Sequence, residues 1–191
     1  RNPYAISRKV VCLTDRDPVW KEEGKGSFEY CYPFEQGQDG YEYKEHSGDL
    51  IEKYKDHPNI KIYSQDEKKG KTLEYDLMLY NSTSEILLVK ELANKDEIKD
   101  IQATVYPDCL DRLRTSKENR RIKEALKGCS WSDEDKKKAL LAARYLNSVG
   151  KGENALELSI VLRDNLSQQG GKRQEFIVPK YIEEALTWLL Q

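Results

Sequence analysis

The pattern of apolar and polar positions predicts two strands in the first third of the chain, separated by a long polar stretch. Residues 8–14 contain the consecutive apolar residues 10–13, and such a run predicts a fully buried strand. Residues 20–58 are rich in glycine, tyrosine and charge, which predicts a surface insertion with one short helix at 49–55. Residues 59–64 alternate between apolar and polar and predict the second strand.

Helical periodicity dominates the rest of the chain. Thr72 is a candidate N-cap, and acidic side chains follow in the first turn, where they suit the helix dipole. Leu73, Leu77 and Tyr80 then form the predicted apolar face of this helix. The remaining predicted elements are helices at residues 84–99, 108–127, 132–148 and 153–166, a short strand at 176–178 and a final helix that starts at Pro179.

This order of elements predicts an α/β fold with an added helical layer, because two strands come first and a mostly helical block follows. A length of 191 residues fits a single domain over residues 1–191, with the long insertion at 20–58 and the helical addition at about 108–148. Hydrophobic residues make up 38% and charged residues 35% of the chain. We therefore expect a modest core and a large solvated surface.

Charge and cysteine content limit the classes of partner and compartment. A net charge of −2 does not indicate a nucleic-acid partner, so DNA binding would need a local basic patch. The 4 cysteines lie far apart and form no CxxC pair, which excludes the usual zinc-ligand spacing. The sequence shows no signal peptide and no apolar run of membrane-spanning length. We therefore expect reduced thiols, a cytoplasmic location and no membrane partner.

The candidate chemistry starts with Asp15 and Asp17, which come directly after the first predicted strand. In open parallel α/β sheets, ligands bind outside the carboxyl ends of the strands. Mg²⁺ typically takes one or two carboxylates and keeps the rest of its shell for water and phosphate oxygens. The pair therefore suggests a magnesium site, and the alternative is an ordinary polar turn after a strand.

Two further positions could join this pair. Thr72 and Glu74 follow the second predicted strand at the start of a helix, and Lys151 lies between two glycines just ahead of another helix. At a helix start, backbone N–H groups already favour phosphate. The alternatives are that Glu74 only stabilises the end of its helix and that Lys151 is an ordinary solvated lysine.

Other features lead to weaker hypotheses. The tyrosines of the insertion could stack on nucleobases or pack the insertion onto its own domain: Tyr30, Tyr32, Tyr41 and Tyr43. His46 and His57 have no neighbouring serine or cysteine that suggests a nucleophile pair. Residues 70–72 resemble the end of a phosphate-binding P-loop, but Gln65 stands where that motif needs glycine, so no ATP site is predicted.

Several sequence runs together resemble the C-terminal Toprim domain of the OLD-family (overcoming lysogenization defect) ATP-dependent endonucleases. The runs agree in order and rough spacing across most of the chain: VVCLTDRD at 10–17, KTLEYDL at 71–77, GKGENA at 150–155 and PKYI at 179–182. The TLEYDL run and the GKG-x-x-A run are fairly specific to OLD-type proteins. The resemblance implies a Toprim fold, with a mainly parallel sheet flanked by helices, and metal-dependent cleavage of DNA phosphodiester bonds.

The resemblance also implies roles for individual residues. Asp15 and Asp17 match the family's DxD metal ligands, and Thr72 and Glu74 match its second acidic motif, which helps to form the second metal site. Lys151 matches the lysine near the scissile phosphate, and Lys151 and Glu74 are the implied catalytic residues. The implied cofactors are two Mg²⁺ or Mn²⁺ ions. The implied partners are DNA and an ATPase domain of the same full-length protein, and a homodimer is compatible with this reading.

One departure from the family is important. Toprim domains carry a glutamate on their first strand, in a run that resembles VEGxTE, and nothing before Asp15 matches it. The chain also begins with arginine and lacks the family's ATPase, so it looks like a piece of an OLD-like anti-phage protein from which the first Toprim strand is missing. We expect weak or no nuclease activity from this chain alone.

Two other functions share the same acidic residues. The first is a non-catalytic interaction or dimerisation module on a decayed Toprim scaffold, with residues 108–148 as the partner surface. The second is a Toprim protein that acts on RNA or as a primase. The TLEYDL and GKG-x-x-A runs favour the OLD-like nuclease over this second alternative.

Overall fold

The computed structural model describes residues 8–150, 152–168 and 172–191. The chain divides into two compact units. The first comprises residues Arg1–Leu73 and Val178–Gln191, and the second comprises Glu74–Ile177. Over the described ranges the fold is mixed α/β, with seven α-helices and a parallel sheet of two strands, so the predicted α/β class is confirmed at this level.

A parallel pair of strands forms the centre of the first unit. Strands β1 (Val10–Leu13) and β5 (Ile60–Tyr63) confirm the two strands predicted at 8–14 and 59–64. They run in parallel, with Val10 opposite Ile60 and Leu13 opposite Tyr63. Helix α7 (Lys180–Leu190) packs on both strands and confirms the predicted final helix.

The prediction that the first strand is fully buried is wrong. Val10 is 37% exposed and Leu13 is 51% exposed. Parallel sheets bury their strands by placing neighbours on both edges and helices on both faces. In the part of the chain that the structure describes, β1 hydrogen-bonds with β5 alone. One long edge of β1 therefore has no neighbouring strand among these residues.

The polar insertion contains a second small sheet that its sequence pattern does not predict. Strands β2 (Val19–Glu22), β3 (Glu29–Tyr30) and β4 (Tyr41–Lys44) are antiparallel, in the order β3-β2-β4. Helix α1 (Ser47–Tyr54) follows, close to the predicted helix at 49–55, and packs against β5. A buried aromatic pair lies just after β3, where the rings of Tyr32 and Phe34 stack with centroids 5.0 Å apart.

The second unit is helical. Helix α2 (Leu73–Tyr80) starts at the boundary between the units, and the others are α3 (Lys95–Ala103), α4 (Lys117–Gly128), α5 (Asp133–Leu146) and α6 (Glu153–Leu166). Helices α5 and α6 confirm the predictions at 132–148 and 153–166. Ser132 caps α5 as predicted, because its side chain accepts a hydrogen bond from the backbone N–H of Asp135. The predicted helix pair at 108–127 consists of a short 3₁₀ helix (Asp108–Arg112) followed by α4.

Two predicted elements of the second unit are wrong. The helix predicted at 84–99 starts only at Lys95, and the preceding residues form turns. Ile86–Val89 are all buried, and a helix that packs on one face could not bury four consecutive side chains. The strand predicted at 176–178 is irregular. Its Ile177 pairs instead with the Asn81 side chain, which donates to the Ile177 carbonyl at 2.9 Å and accepts from its N–H at 2.7 Å.

The buried faces of two helices also differ from the prediction. In α2 the buried side chains are Tyr75, Asp76 and Met78, whereas Leu73 is exposed. This helix has apolar residues all around its axis, so periodicity alone does not fix the inner face. In α7, helical periodicity predicts an inner face with Ala185, Leu186 and Leu189, but the buried residues are Tyr181 and Ala185, and both leucines are exposed. Among the described helices, none is both long enough and apolar enough to cross a membrane.

Candidate functional site

The Asp15-Arg16-Asp17 loop lies at the carboxyl end of the parallel strand pair. Strand β1 ends at Leu13, and the N–H of Thr14 continues the ladder by donating to the carbonyl of Tyr63 at 3.1 Å. The loop therefore starts where both parallel strands end. This is the edge at which open α/β sheets bind ligands.

Asp15 connects three segments of the first unit. Its Oδ1 accepts a hydrogen bond from Nε2 of Gln65 at 2.8 Å and another from the backbone N–H of Leu73 at 3.0 Å. Gln65 follows β5 and Leu73 is the first residue of α2. Both donors stabilise the charged form of the carboxylate and fix its position.

Arg16 has a structural role in the loop. Its backbone N–H donates to Oε1 of Gln65 at 2.8 Å, and its guanidinium donates to the carbonyl of Asp66 at 2.6 Å and forms an ion pair with Glu45. The side chain is buried. Removing it would leave the Asp66 carbonyl and the Glu45 carboxylate without this donor, so Arg16 is part of the support of the loop.

Gln65 organises the loop, and the sequence interpretation missed this role. Its amide contacts Asp15 and Arg16 as described, and Nε2 also lies 3.2 Å from the hydroxyl of Tyr181 on α7. The sequence contained one relevant signal, which is Gly70. A Cβ at position 70 would lie 2.3 Å from Cβ of Gln65 and 2.7 Å from the backbone nitrogen of Asp66. Only glycine fits against Gln65 here.

Asp17 adopts a backbone conformation that few residues tolerate. Its φ is +44°, in the left-handed region, where aspartate is one of the more tolerated side chains. Its backbone N–H donates to the carbonyl of Lys71 at 3.2 Å. Within the described ranges, its carboxylate makes no hydrogen bond and no ion pair with protein groups. The loop thus holds a half-buried carboxylate that forms no ion pair with the described residues.

Residues 71–73 lie beside this loop, because Lys71 and Leu73 bond to it through their backbones. Thr72, between them, is buried, and the predicted metal ligand lies next to the DxD segment. The side chain of Lys71 is buried too, and its Nζ donates to the carbonyl of Cys31 at 2.8 Å. This lysine is held inside the protein.

Glu74 is separated from the other predicted ligands by the unit boundary. It belongs to the second unit, whereas Asp15, Asp17 and Thr72 belong to the first. Within its own unit, Glu74 lies close enough to the buried Tyr145 to affect its titration. Burial raises the pKa of Tyr145 to about 12, and the negative charge of Glu74 adds to this shift. The predicted catalytic Lys151 lies outside the described residues.

In the described ranges, no group of three or more histidine, cysteine, aspartate or glutamate side chains is arranged to hold a metal ion. Backbone hydrogen bonds of the first unit place residues 71–73 beside Asp15 and Asp17. Carboxylate oxygens are the ligands that hard cations prefer, together with water or phosphate oxygens.

No protein-family model matches the chain, and neither a curated protein nor a solved structure matches it. The similarity to OLD-family Toprim domains therefore remains a prediction from the sequence motifs.

Proposed function

We propose that this chain is the nuclease part of a metal-dependent DNA endonuclease of the OLD type. The observation that carries the proposal is Asp17: a carboxylate without a protein partner in the described ranges, on strained backbone, at the carboxyl end of two parallel strands. Strained residues of this kind cluster at functional sites, and an observed outlier is a reason to suspect one.

The donor set of the loop suits Mg²⁺ or Mn²⁺. Both are hard cations that prefer carboxylate oxygens, and Asp15 and Asp17 would hold the first ion. One oxygen of Asp15 already accepts two hydrogen bonds, which would orient the carboxylate toward a metal without neutralising it. Thr72 and Glu74 are assigned to a second ion by the family resemblance alone.

Each residue of the proposed site would have a separate role. When bound, two such ions would supply an activated hydroxide and would stabilise the negative charge on the leaving oxygen of a phosphodiester. Asp17 supplies negative charge for a cation, and Gln65 and Leu73 hold Asp15 in position. Lys151 would balance negative charge that develops on the phosphate, as a flexible point charge. The proposal includes the partners implied by the family: DNA, an ATPase domain of the same full-length protein and a role in anti-phage defence in the cytoplasm.

Direct metal binding tests the site without depending on activity. Titration of the chain with Mn²⁺, followed by the loss of the free-ion EPR signal, should show binding that Asp17→Asn weakens at least tenfold. Asp39→Asn is the matched control, because Asp39 is an exposed aspartate in a turn of the insertion. If Asp17→Asn bound Mn²⁺ as well as the unchanged chain, the site assignment would be wrong.

Activity should be measured on the full-length gene product. Mg²⁺- or Mn²⁺-dependent nicking of supercoiled plasmid should be abolished by Asp15→Ala and by Glu74→Ala. Folding of each variant is checked by circular dichroism. Nicking that survives both substitutions would exclude these residues from the chemistry.

A second candidate is supported by a specific observation. The hydrogen bonds at Asp15 join the ends of three segments, and this is what a purely structural aspartate would do. On that reading the scaffold is a non-catalytic interaction or dimerisation module. The Mn²⁺ titration separates the two candidates, because the module has no reason to bind the ion at Asp17.

A further inference from the structure

The small antiparallel sheet begins at the candidate metal site. Strand β2 starts at Val19, two residues after Asp17, and the carbonyl of the intervening Pro18 accepts a hydrogen bond from the N–H of Cys31 at 3.0 Å. Tyr30, at the end of β3, is paired directly with Val19. The start of this sheet is therefore held next to the DxD loop by backbone hydrogen bonds.

The two faces of this sheet carry opposite charge. Side chains alternate along each strand, so the register places Val19, Lys21, Tyr30, Glu42 and Lys44 on one face, which we name the Tyr30 face. It has two lysines against one glutamate. The other face has two glutamates and no basic residue among its strand positions: Trp20, Glu22, Glu29, Tyr41 and Tyr43. A polyanion would be attracted to the Tyr30 face and repelled by the opposite one.

The Tyr30 face presents an aromatic ring to solvent. Tyr30 is 70% exposed, and the Nζ of the buried Lys71 lies 5.6 Å from the centre of its ring. Lys71 is itself fixed by its bond to the Cys31 carbonyl. Nearby, the ammonium groups of Lys21 and Lys44 lie 4.9 and 4.6 Å from the centre of the Phe28 ring. Both lysines also form ion pairs with Glu42, at 2.8 and 3.4 Å, so this face keeps one net positive charge among its strand positions. Aromatic rings and positive charges therefore lie close together on this side of the sheet.

We propose that the Tyr30 face binds single-stranded DNA, with one base stacked on Tyr30 and the neighbouring phosphates close to Lys21 and Lys44. Non-specific single-strand sites combine exposed rings, on which bases stack, with positive charge that follows the backbone. In a duplex the base faces are covered by their neighbours, so only an unpaired base can use the ring. The choice of DNA rests on the proposed nuclease function. The stacked base would be close to the phosphate presented to Asp17.

The test is the binding of a fluorescein-labelled dT oligonucleotide, followed by fluorescence anisotropy in EDTA. Tyr30→Ala should weaken binding about tenfold, the size expected for the loss of one stacked base. Tyr30→Phe keeps the ring and should bind as the unchanged chain does. Tyr54→Ala removes a tyrosine from α1, outside the sheet, and is the matched control. A duplex of the same length should bind more weakly than the single strand and should not respond to Tyr30→Ala.

Several outcomes would overturn the proposal: no binding of the oligonucleotide, equal binding by Tyr30→Ala, loss of binding in Tyr30→Phe, or binding of oligo-U alone. Because EDTA removes any bound metal, the result does not depend on cleavage. Binding through Tyr30 without metal-dependent nicking would support the DNA surface and contradict the nuclease. If Tyr30→Ala changed neither the metal-dependent nicking nor the binding of the oligonucleotide, the result would support the nuclease and contradict the DNA surface.

Discussion

The two units of the molecule bury different kinds of side chain. In the first unit the buried groups around the candidate site are mostly polar or charged: Arg16, Gln65, Lys71 and Thr72. The first three of them bond to backbone groups. In the second unit the buried groups are mostly apolar and come from several helices: Ile98, Ile101, Leu110, Ile122, Leu126 and Leu140. Directional bonds fix positions, whereas apolar burial supplies stability without specifying direction. The first unit is therefore suited to hold a site and the second to support a fold.

The largest loss in the free energy of unfolding should come from breaking the buried ion pair of the second unit. Glu97 accepts two hydrogen bonds from Arg144, at 3.0 and 3.1 Å, and both side chains are buried. Glu97→Ala should lower the free energy of unfolding by about 3–5 kcal/mol, because it leaves a buried guanidinium without its partner. Urea denaturation measures the loss. Removing the exposed partner of Lys123 with Asp111→Ala should leave the midpoint unchanged.

A smaller loss in the free energy of unfolding should follow when the polar network around Gln65 in the first unit is broken. Gln65→Ala should cost about 1–3 kcal/mol, because the buried backbone N–H of Arg16 loses its acceptor. The same change releases Asp15, so it should also weaken Mn²⁺ binding. Glu97→Ala should not alter Mn²⁺ binding in the fraction that stays folded. If Gln65→Ala lowered stability and left Mn²⁺ binding intact, the network would be structural only.

The smallest effect is a pH dependence that belongs to the second unit. The pKa of Tyr145 is raised from 10.0 to about 12, so the folded state keeps this phenol neutral where the unfolded chain ionises it. The contribution to stability is complete below about pH 10 and is lost as pH rises toward 12, at about 1 kcal/mol per pH unit. Tyr145→Phe should remove this slope from unfolding curves recorded between pH 9 and 11.5. A slope that persists in Tyr145→Phe would have to come from other groups.

The sequence predicted the elements whose pattern is long or uninterrupted. Helices α5 and α6 and the parallel strands have such patterns, and so does the position of the DxD loop. The sheet of the insertion was missed because β3 has two residues and its neighbours mix tyrosine, glutamate and lysine, so no apolar stripe marks it. The turns at 84–94 were missed because an apolar run buried on all sides resembles a helix segment.

The polar details of the site could not be read from the sequence for a different reason. Gln65 reaches Asp15 across fifty positions of the chain, and only the pairing of β1 with β5 brings them together. The left-handed backbone of Asp17 likewise depends on its hydrogen bond to Lys71. Residue types can suggest which side chains are able to bind a metal. Their distances depend on the tertiary structure.

Gly70 has a consequence for how this protein tolerates mutation. At this position the Cβ of any other residue would collide with Gln65 and with the backbone of Asp66. A displaced Gln65 would lose its hydrogen bond to Asp15, and the position of Asp15 would change. In a substitution scan, position 70 would therefore look as intolerant as a catalytic residue while contributing no functional group. Intolerance at a position and chemical participation by its side chain are separate properties. On the proposed function, a screen for variants that lose Mn²⁺ binding would recover substitutions of Gly70 along with changes at the aspartates.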